Sequence, residues 1–424
     1  MRIMIVGSGG REHALAARLA AETGVSYVCC APGNPGMARV ATLAPVDPSD
    51  PDAVLALAVR DGIDLTVVGP ELPLERGIVD RFREAGRRVF GPPRAAAQLE
   101  CSKVFAKDFM ARQGIPTARY RVCTTAADAN AVASSGELGL PLVVKADGLA
   151  AGKGVVVAAT QAEALDAITA AMEEQRFGAA GSRLVLEECL TGPEVSFFAV
   201  CDGRRAVALT SAQDHKRIFD GDHGPNTGGM GAFAPSPLLD DATRTRVMDE
   251  IVNPVLRGMR AEGTPYSGFL YAGLMLTCDG PKVIEFNVRF GDPEAQVVMP
   301  LIDGDLHALL VRAADGALDG QGAVSMKPQV SVGVVLASAG YPGEVSTGRA
   351  ITGIDDAAEV DGVTIFQAGT AMKDNQLVTA GGRVLTVVAL GDDYAQARER
   401  AYAAAARIHF DGMQYRHDIG VKAL

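Results

Sequence analysis

KADGLAAGKG, residues 145–154, is the most informative local segment of the chain. β-Rich runs flank it on both sides, Pro141–Ala146 before it and Val155–Ala159 after it. A phosphate-binding P-loop needs four residues between its two glycines, a Ser or Thr after its lysine, and a following helix. Gly148 and Gly152 are one residue too close for that motif, and a strand follows instead of a helix. The stretch is therefore predicted to be a hairpin flap between two strands.

The composition of this flap suits phosphate groups. Small residues such as Gly148, Gly152 and Gly154 allow the backbone to approach polyphosphate oxygens closely. Lys145 before the flap and Lys153 within it add positive charge. A mobile surface hairpin without a ligand is the simpler alternative, but it gives no reason for a lysine at both places.

A second informative stretch is Lys282–Phe290, where apolar and polar residues alternate as in a strand. The predicted core face comprises Ile284, Phe286, Val288 and Phe290, and the opposite face comprises Glu285, Asn287 and Arg289. A carboxylate and an amide oxygen two residues apart are suitable ligands for Mg²⁺, and the arginine could reach a transferring phosphoryl group or an acyl oxyanion. A half-exposed strand with polar residues in water is the alternative. Asparagine is a poor strand former, which favours the functional interpretation.

Asp292 and Pro293 follow this strand in the order expected at the start of a helix. Asp as N-cap and Pro at the first helical position are both favourable, so capping alone explains Asp292 as well as a functional role does. Upstream, Asp214–Arg217 and Gly224–Gly231 belong to a long, polar, glycine-rich loop. Loops of this kind are typically lids or binding segments, or else disordered.

The chain starts with an apolar strand, Arg2–Val6, followed by a glycine turn at residues 7–10 and a helix. The dinucleotide fingerprint requires a third glycine where this chain has Glu12, and the second strand ends without an acidic residue for a ribose. These features argue against NAD binding. A helix N-terminus still offers free N–H groups to one phosphate, and Arg11 could clamp it; a tight turn without a ligand is the alternative. Glu71, after a neighbouring strand, could accept hydrogen bonds from sugar hydroxyls or simply face water.

The order of elements predicts an α/β and α+β protein of several domains. The 424 residues exceed what one hydrophobic core normally holds, so about three packed units are expected. In the first hundred residues, strands alternate with helices such as the one expected at Leu74–Ala85, which predicts a parallel sheet. The predicted domains are residues 1–100, residues 101–326 with a small lid unit at about 122–189, and residues 327–424.

Charge and composition restrict the partners and the location of the protein. A net charge of −11 and a sequence pI of about 5.1 argue against a nucleic-acid partner. The apolar runs are too short for a membrane helix, and the N-terminus lacks a signal-peptide layout. The seven cysteines form no C-x-x-C pair, which is typical of a reduced, cytoplasmic protein. The six histidines show no zinc-binding spacing.

Short motifs along the whole chain resemble those of one family, the phosphoribosylamine–glycine ligases, also called glycinamide ribonucleotide synthetases. The motifs are GSGGREHALA at 7–16, VGPE at 68–71, KADGLAAGKGV at 145–155, QDHKR at 213–217, GPNTGGMGA at 224–232, GFLYAGLM at 268–275, VIEFNVRFGDPE at 283–294, GYPG at 340–343, GGRVL at 381–385 and DIG at 418–420. Each motif is short, but their order and spacing together are highly specific.

This resemblance implies an ATP-grasp fold with ATP held between the small lid unit and a larger unit. An N-terminal Rossmann-like domain and a C-terminal β-rich domain would complete the cleft. ATP would phosphorylate the carboxylate of glycine, and the amine of 5-phosphoribosylamine would then attack the glycyl phosphate and displace phosphate. Dividing amide formation in this way replaces a poor leaving group by a good one.

The resemblance also implies roles for residues, each named by its position in this chain. The implied ligands of ATP are Lys103, Lys145, Gly148, Gly152, Lys153, Gly154, Glu187, Cys189, Leu190 and Glu194. The implied ligands of Mg²⁺ or Mn²⁺ are Glu285 and Asn287. The implied catalytic residues are Arg289, Lys145 and Asp292. The implied substrate residues are Gly9, Gly10, Arg11, Glu71, Asp214, Gly229 and Gly231.

Few positions depart from the family's pattern. Val288 and Cys189 stand where Cys and an aromatic residue are more usual. Members of the ATP-grasp superfamily commonly carry a further metal-binding carboxylate on the preceding strand, but Tyr271–Met275 offers none. The composition of a second metal site is therefore open.

Three other functions compete with this interpretation. A related ATP-grasp ligase would use nearly the same ATP residues for another acid and another amine. A dinucleotide-dependent oxidoreductase would need the fingerprint that Glu12 interrupts. A non-catalytic nucleotide-binding module would not require Glu285 or Arg289 for its function. We expect a monomer that acts on small molecules.

Overall fold

Five parallel strands form the sheet of the N-terminal unit in the computed structural model, which describes residues 1–149, 154–320, 322 and 324–424. The strands are β1 Arg2–Gly7, β2 Tyr27–Pro32, β3 Thr42–Leu43, β4 Leu65–Val68 and β5 Val89–Phe90. Their order across the sheet is β3-β2-β1-β4-β5. The parallel sheet predicted for the first hundred residues is confirmed.

The helices of this unit are α1 Gly10–Ala20, α2 Pro51–Arg60, α3 Glu71–Glu75, α4 Ile78–Glu84 and α5 Arg94–Cys101. The prediction of one helix over Leu74–Ala85 is wrong, because two helices meet at Gly77. That residue has φ 82°, a left-handed conformation that glycine adopts without steric cost and that ends a helix.

A small antiparallel unit follows the N-terminal unit. Its elements, with the helix that precedes it, are α6 Lys103–Gln113, β6 Tyr120–Cys123, α7 Ala126–Ser135, β7 Leu142–Ala146, β8 Val155–Ala158, α8 Gln161–Ile168 and β9 Leu184–Glu188. The strands pair in the order β6-β9-β7-β8. Lys145 on β7 pairs with Val155 on β8, so the glycine flap connects these two antiparallel strands, as the sequence predicts. Within the flap, Gly152 and Lys153 lie outside the described residues.

The larger unit is built around a second antiparallel sheet of four strands. The elements of this stretch are β10 Glu194–Asp202, β11 Ala206–Ala208, β12 Gln213–Asp214, β13 Arg217–Phe219, β14 His223–Asn226, β15 Gly231–Ala234, α9 Asp241–Val247, α10 Asn253–Ala261, β16 Ser267–Thr277, β17 Gly280–Asn287, α11 Glu294–Val298 and α12 Leu306–Ala314. The sheet has the order β11-β10-β16-β17, which places β17 at its edge.

A β-bulge in β17 changes which side chains face the core. Gly273 pairs with Glu285, but the next residue of β16, Leu274, pairs with Val283, so Ile284 is the extra residue. Val283 is fully buried, whereas Ile284 is only half-buried. The prediction that Ile284 lies on the core face is therefore wrong, because strict alternation does not continue through a bulge.

The C-terminal unit shares its sheet with segments from earlier in the chain. Its own elements are β18 Val330–Ala337, α13 Ile354–Ala358, β19 Val363–Gln367, β20 Thr370–Lys373, β21 Gln376–Thr379, β22 Arg383–Gly391 and α14 Tyr394–Ala405. The sheet order is β12-β15-β18-β22-β19. Backbone pairing of β15 with β18 thus ties the polar loop at 213–231 to the C-terminal unit. The domain boundary expected near residue 326 stays a prediction.

In the described part of the chain, no helix combines the length and the apolar character that a membrane-crossing helix requires.

His13 joins the N-terminal unit to the C-terminal unit. The ring is buried, and its Nδ1 accepts a hydrogen bond from the backbone N–H of Gln367 at 2.8 Å. The ring also packs edge-on against Phe366, with 5.5 Å between the ring centroids. Burial lowers the pKa of His13 to about 4, so the imidazole remains neutral in the folded protein at pH values where an exposed histidine is already protonated.

We predict that the folded state loses stability on acidification through this histidine. Below its unfolded pKa of 6.5, the unfolded chain binds a proton that the folded chain does not bind until about pH 4. The contribution of neutral His13 is present above pH 6.5 and decreases as the pH falls, by roughly 2–3 kcal/mol at pH 4.5. Urea unfolding at pH 7.5 and at pH 4.5 measures this loss.

His13→Asn is the matched variant, because its amide oxygen still accepts the Gln367 hydrogen bond but does not titrate. Its loss of stability between the two pH values should be smaller than that of the wild type. Burial also lowers the pKa of His215 to about 4, but that residue is common to both proteins and cancels in the comparison. Equal losses in the two proteins would contradict the role of His13.

Candidate active site

Glu285 on β17 lies among the cationic side chains of three different segments. Although burial opposes ionisation, Lys216, Lys145 and Lys103 together hold the pKa of Glu285 below its ordinary value. Lys145 extends from β7 of the small unit and donates a hydrogen bond to the carbonyl oxygen of Ile284 at 3.2 Å. The carboxylate of Glu285 is therefore kept ionised by the lysines around it.

Glu187 on β9 lies between two ammonium groups. Its Oε2 is 2.8 Å from Nζ of Lys107 and 3.1 Å from Nζ of Lys145, and all three side chains are buried. Lys107 also donates to the hydroxyl of Thr117 at 2.7 Å. Burial lowers the pKa of Lys107 to about 8. The side chain of Glu187 thus holds Lys145 in place, whereas its predicted proximity to adenine stays a prediction.

The base of the flap is attached to the start of α6. Lys103, the first residue of that helix, donates from Nζ to the carbonyl oxygen of Gly148 at 3.0 Å. Asp147 accepts hydrogen bonds from the Ser102 hydroxyl at 3.0 Å and from the Val104 N–H at 3.2 Å. Burial lowers the pKa of Lys103, and Lys145 contributes in the same direction. Two of the predicted phosphate-binding lysines are therefore close to Glu285 and to one end of the flap.

Arg289 is held by two carboxylates from the N-terminal part of the chain. Its Nη2 lies 2.9 Å from Oε1 of Glu100, and its Nε donates to Oε2 of Glu71 at 3.3 Å. Burial would lower the pKa of Arg289, but Glu100 and Glu71 raise it above its ordinary value. Burial also opposes ionisation of Glu71, but Arg289 and Arg11 lower its pKa. The predicted catalytic arginine and the predicted substrate residue Glu71 are thus direct neighbours.

Asp292 does not cap the helix that follows it. The N-cap position of α11 is Pro293, and no side chain caps this helix. The carboxylate of Asp292 instead accepts a hydrogen bond from Nε2 of Gln296 at 2.8 Å and lies 3.4 Å from Nη2 of Arg383. The N-cap interpretation is therefore wrong, because two side chains compete for this carboxylate. Burial alone would raise the pKa of Asp292, but Arg383 and Arg11 lower it below its ordinary value.

The glycine-rich loop at residues 224–231 reaches the same place. Arg383 on β22 donates from Nη1 to the carbonyl oxygens of Gly228 at 2.5 Å and Asp292 at 2.7 Å. The hydroxyl of Tyr341 accepts the N–H of Gly228 at 2.9 Å. Gly229 has φ 112°, and a Cβ atom there would lie 2.4 Å from Pro293. Side chains of the C-terminal unit thus hold the loop against Asp292, and only glycine fits at Gly229.

Asp214 is the last residue of the short strand β12, and Lys216 follows it by two residues. Nζ of Lys216 is 2.9 Å from Oε2 of Glu194, a residue predicted to lie at ATP. Burial raises the pKa of Asp214, which Lys216 opposes. Asp214, Glu194 and Glu285 in turn raise the pKa of Lys216, against the effect of its burial.

The N-terminal glycine turn contacts the end of the segment that follows β17. Glu12 accepts the N–H of Gly9 at 2.7 Å and the Nε of Arg11 at 2.5 Å. Nη1 of Arg11 donates to the carbonyl oxygen of Phe290 at 3.1 Å. Arg11 is thus buried with two protein partners, and its role as a phosphate clamp stays a prediction, as do those of Gly9 and Gly10.

The structure brings many of the predicted residues together where the N-terminal, small, larger and C-terminal units meet. Those connected by the contacts above are Lys103, Lys145, Gly148, Glu187, Glu194, Asp214, Glu285, Arg289, Glu71, Asp292 and Gly229. Asn287 ends β17, Gly231 begins β15, and Gly154 immediately precedes β8. Cys189 and Leu190 follow β9 directly and are half-buried.

Four residues of this cleft were missed from the sequence: Glu100, Lys107, Lys216 and Arg383. Lys216 and Arg383 lie within the quoted motifs QDHKR and GGRVL, which is the only signal that could have indicated them. Glu100 and Lys107 lie on helices outside those motifs, and their partners are distant in sequence. No local pattern could have identified these two residues.

Comparison with protein families matches nearly the whole chain. Residues 1–100 match the N domain of phosphoribosylglycinamide synthetase, residues 101–295 its ATP-grasp (A) domain, and residues 331–422 its C domain.

Individual relatives agree with this result. The phosphoribosylamine–glycine ligase of Ralstonia nicotianae is 53% identical over 425 residues, which cover 100% of both chains. The crystal structure of the phosphoribosylamine–glycine ligase from Thermotoga maritima has a TM-score of 0.86 at 35% identity, covering 99% of this chain and 100% of that one. A biotin carboxylase from Campylobacter jejuni shares the fold alone, with a TM-score of 0.73 at 17% identity over 97% of this chain and 92% of the other. The predicted ATP-grasp fold is thus confirmed, and the chain belongs to the phosphoribosylglycinamide synthetase family.

Proposed function

We propose that this protein is the ATP-dependent ligase that joins glycine to 5-phosphoribosylamine in purine synthesis. The products are glycinamide ribonucleotide, ADP and phosphate. The similarity of the whole chain to phosphoribosylamine–glycine ligases supports the choice of substrates. The observation that carries the chemistry is the position of Glu285, ionised beside Lys103, Lys145 and Lys216 at the base of the flap.

Lys103 and Lys145 are placed to hold the phosphates of ATP. Both ammonium groups lie near Glu285, and both belong to elements that meet at the flap. Lys145 is buried and Lys103 is partly buried, and reduced contact with water strengthens their attraction for phosphate oxygens. Gly148, Gly152, Lys153 and Gly154 would then cover the phosphates, and Glu187, Cys189, Leu190 and Glu194 would surround the adenine.

Glu285 and Asn287 fit a hard divalent cation, which we propose to be Mg²⁺ or Mn²⁺. Glu285 is kept ionised by its surroundings, and Asn287 offers an uncharged amide oxygen from the same strand. Oxygen donors of these two kinds are typical of Mg²⁺ sites that also use phosphate oxygens of a substrate. Such an ion, held by Glu285 and Asn287, would neutralise phosphate charge and polarise the transferring phosphoryl group.

The reaction proceeds in two steps, a phosphoryl transfer and an acyl transfer. A carboxylate oxygen of glycine forms a bond to the γ-phosphorus while the bond to ADP breaks, giving glycyl phosphate and ADP. The amine of phosphoribosylamine then attacks the acyl carbon, phosphate leaves with the electron pair of the C–O bond, and the amine loses a proton. Arg289, kept charged by Glu100 and Glu71, stabilises the negative charge that develops in both steps.

The substrates are proposed to lie between the N-terminal and C-terminal parts of this cleft. Glu71 is positioned to accept hydrogen bonds from the sugar, and Gly9, Gly10 and Arg11 lie at the adjacent helix N-terminus. Asp214, Gly229 and Gly231 would contact the substrates from the other side. Asp292 is proposed to act in catalysis, and Arg383, which contacts it, also holds the loop at residues 224–231.

A related ligase for a different acid and amine is the principal alternative, because it would use the same ATP residues. The monomeric state remains a proposal, as does the cytoplasmic location, which the scattered cysteines support.

We predict that ADP release requires ATP, glycine and phosphoribosylamine together. We also predict that Glu285→Gln lowers kcat/KM roughly 100-fold or more, because a neutral amide binds the cation less well. The Mg²⁺ concentration for half-maximal activity should also rise. A coupled ADP assay with each substrate omitted in turn measures these effects.

The matched control is Lys282→Gln on the same strand, because Lys282 pairs with the exposed carboxylate of Asp279. It should retain wild-type activity. ADP release with another acid and amine, and none with these two, would favour the related ligase. Full activity of Glu285→Gln would contradict the proposed metal site.

We also predict that Arg383→Met raises the KM of glycine or phosphoribosylamine about tenfold while the KM of ATP changes little. The variant removes charged hydrogen bonds to Gly228 and Asp292, each worth about 1.5–3 kcal/mol. Steady-state kinetics with one substrate varied at a time tests this.

Arg349→Met is the control for this variant, because Arg349 belongs to the same unit and its guanidinium lies 3.6 Å from the exposed Asp411. It should leave all three KM values unchanged. An unaltered KM for both small substrates in Arg383→Met would remove the proposed role of the loop.

A further inference from the structure

Glu100, on α5, contacts two consecutive residues directly after β17. Its Oε2 accepts the backbone N–H of Val288 at 2.7 Å, and its Oε1 lies 2.9 Å from Nη2 of Arg289. Its side chain is only 8% exposed. One carboxylate therefore fixes both the backbone and the side chain at the end of the strand that carries Glu285.

The packing of α5 explains why Glu100 lies there. Ala96, Ala97 and Leu99 are buried in the hydrophobic core, which orients this helix. Glu100 projects from the helix towards β17, and the side chain reaches across the connection between the N-terminal and larger units. Since α5 is anchored by its core residues, the position of the carboxylate is set by the fold and not by Arg289.

Opposite charges allow Glu100 and Arg289 to be buried together. Arg289 is surrounded by Glu100 and Glu71, so its charge is compensated although it is mostly buried. A buried carboxylate is costly unless it is paired and hydrogen-bonded, and Glu100 has both kinds of partner. Glu71 also stands at a proposed sugar site, whereas the contacts of Glu100 are to the protein.

We propose that Glu100 is a positioning residue, which orients the guanidinium of Arg289 for the reaction. Glu100 does not touch the substrates in this account and acts through Arg289. The inference rests on the proposed function, because Arg289 matters to catalysis only if charge develops beside it.

Glu100→Gln is the decisive substitution, because it keeps the size of the side chain. An amide has one acceptor oxygen, so its NH₂ group must face either the N–H of Val288 or the guanidinium, both of which are donors. We expect kcat to fall about 10–100-fold, as for other residues that orient an active-site group, while the KM of ATP changes less than about twofold. Gln98→Ala, on the same helix, should retain wild-type kinetics and melting temperature.

A double-mutant cycle with Arg289→Lys distinguishes positioning from a general structural effect. If Glu100 acts through Arg289, the double variant should be no slower than Arg289→Lys alone. Losses that multiply, or a wild-type kcat in Glu100→Gln, would overturn the proposal.

A readout independent of activity separates this inference from the proposed function. The Nη2–H signal of Arg289 in a ¹⁵N NMR spectrum, identified by its absence in Arg289→Lys, should exchange slowly with water in the wild type and be lost in Glu100→Gln, because Nη2 is the nitrogen that faces Glu100. Wild-type enzyme that releases no ADP with glycine and phosphoribosylamine would refute the function, and the NMR signal would still decide whether Glu100 holds Arg289. An unchanged Nη2–H signal in Glu100→Gln would refute the inference.

Discussion

Charged side chains can be buried together only when each finds an opposite charge, and this constraint determines the structure of the cleft. Arg289 is balanced by Glu100 and Glu71, and Glu187 is balanced by Lys107 and Lys145. Removing one member of such a group leaves an uncompensated charge in a region of low dielectric constant, which is strongly unfavourable. The side chains are therefore held in fixed positions before any ligand arrives, which is the condition for electrostatic stabilisation of a transition state.

The same cleft joins parts of the chain that are far apart in sequence. β12 and β15 extend the C-terminal sheet, and Arg383 from that sheet reaches back to Gly228 and Asp292. Substrate contacts proposed for the loop at residues 224–231 thus depend on the C-terminal unit. A chain ending before β18 would lose the backbone pairing that positions this loop.

The sequence predicted local features better than long-range contacts. Alternation along β17 correctly separated Glu285 from the buried Phe286, and the strands on both sides of the glycine loop identified the hairpin between β7 and β8. Ile284 was misplaced because a bulge interrupts the alternation, and the capping role of Asp292 was wrong because Arg383 and Gln296 bind its carboxylate. The bulge and these side-chain contacts depend on tertiary packing, which a local pattern does not contain. The pairing of Glu100 with Arg289 was invisible for the same reason.

The account depends most on one arrangement, in which Glu285 and Asn287 hold a cation bound to the phosphates of ATP beside Lys103 and Lys145. A crystal structure of the protein with Mg²⁺ and a non-hydrolysable ATP analogue tests this arrangement directly. Polyphosphate is expected between the flap and β17, with Glu285 and Asn287 as the protein ligands of the cation. Polyphosphate bound away from both the flap and Glu285 would contradict the account.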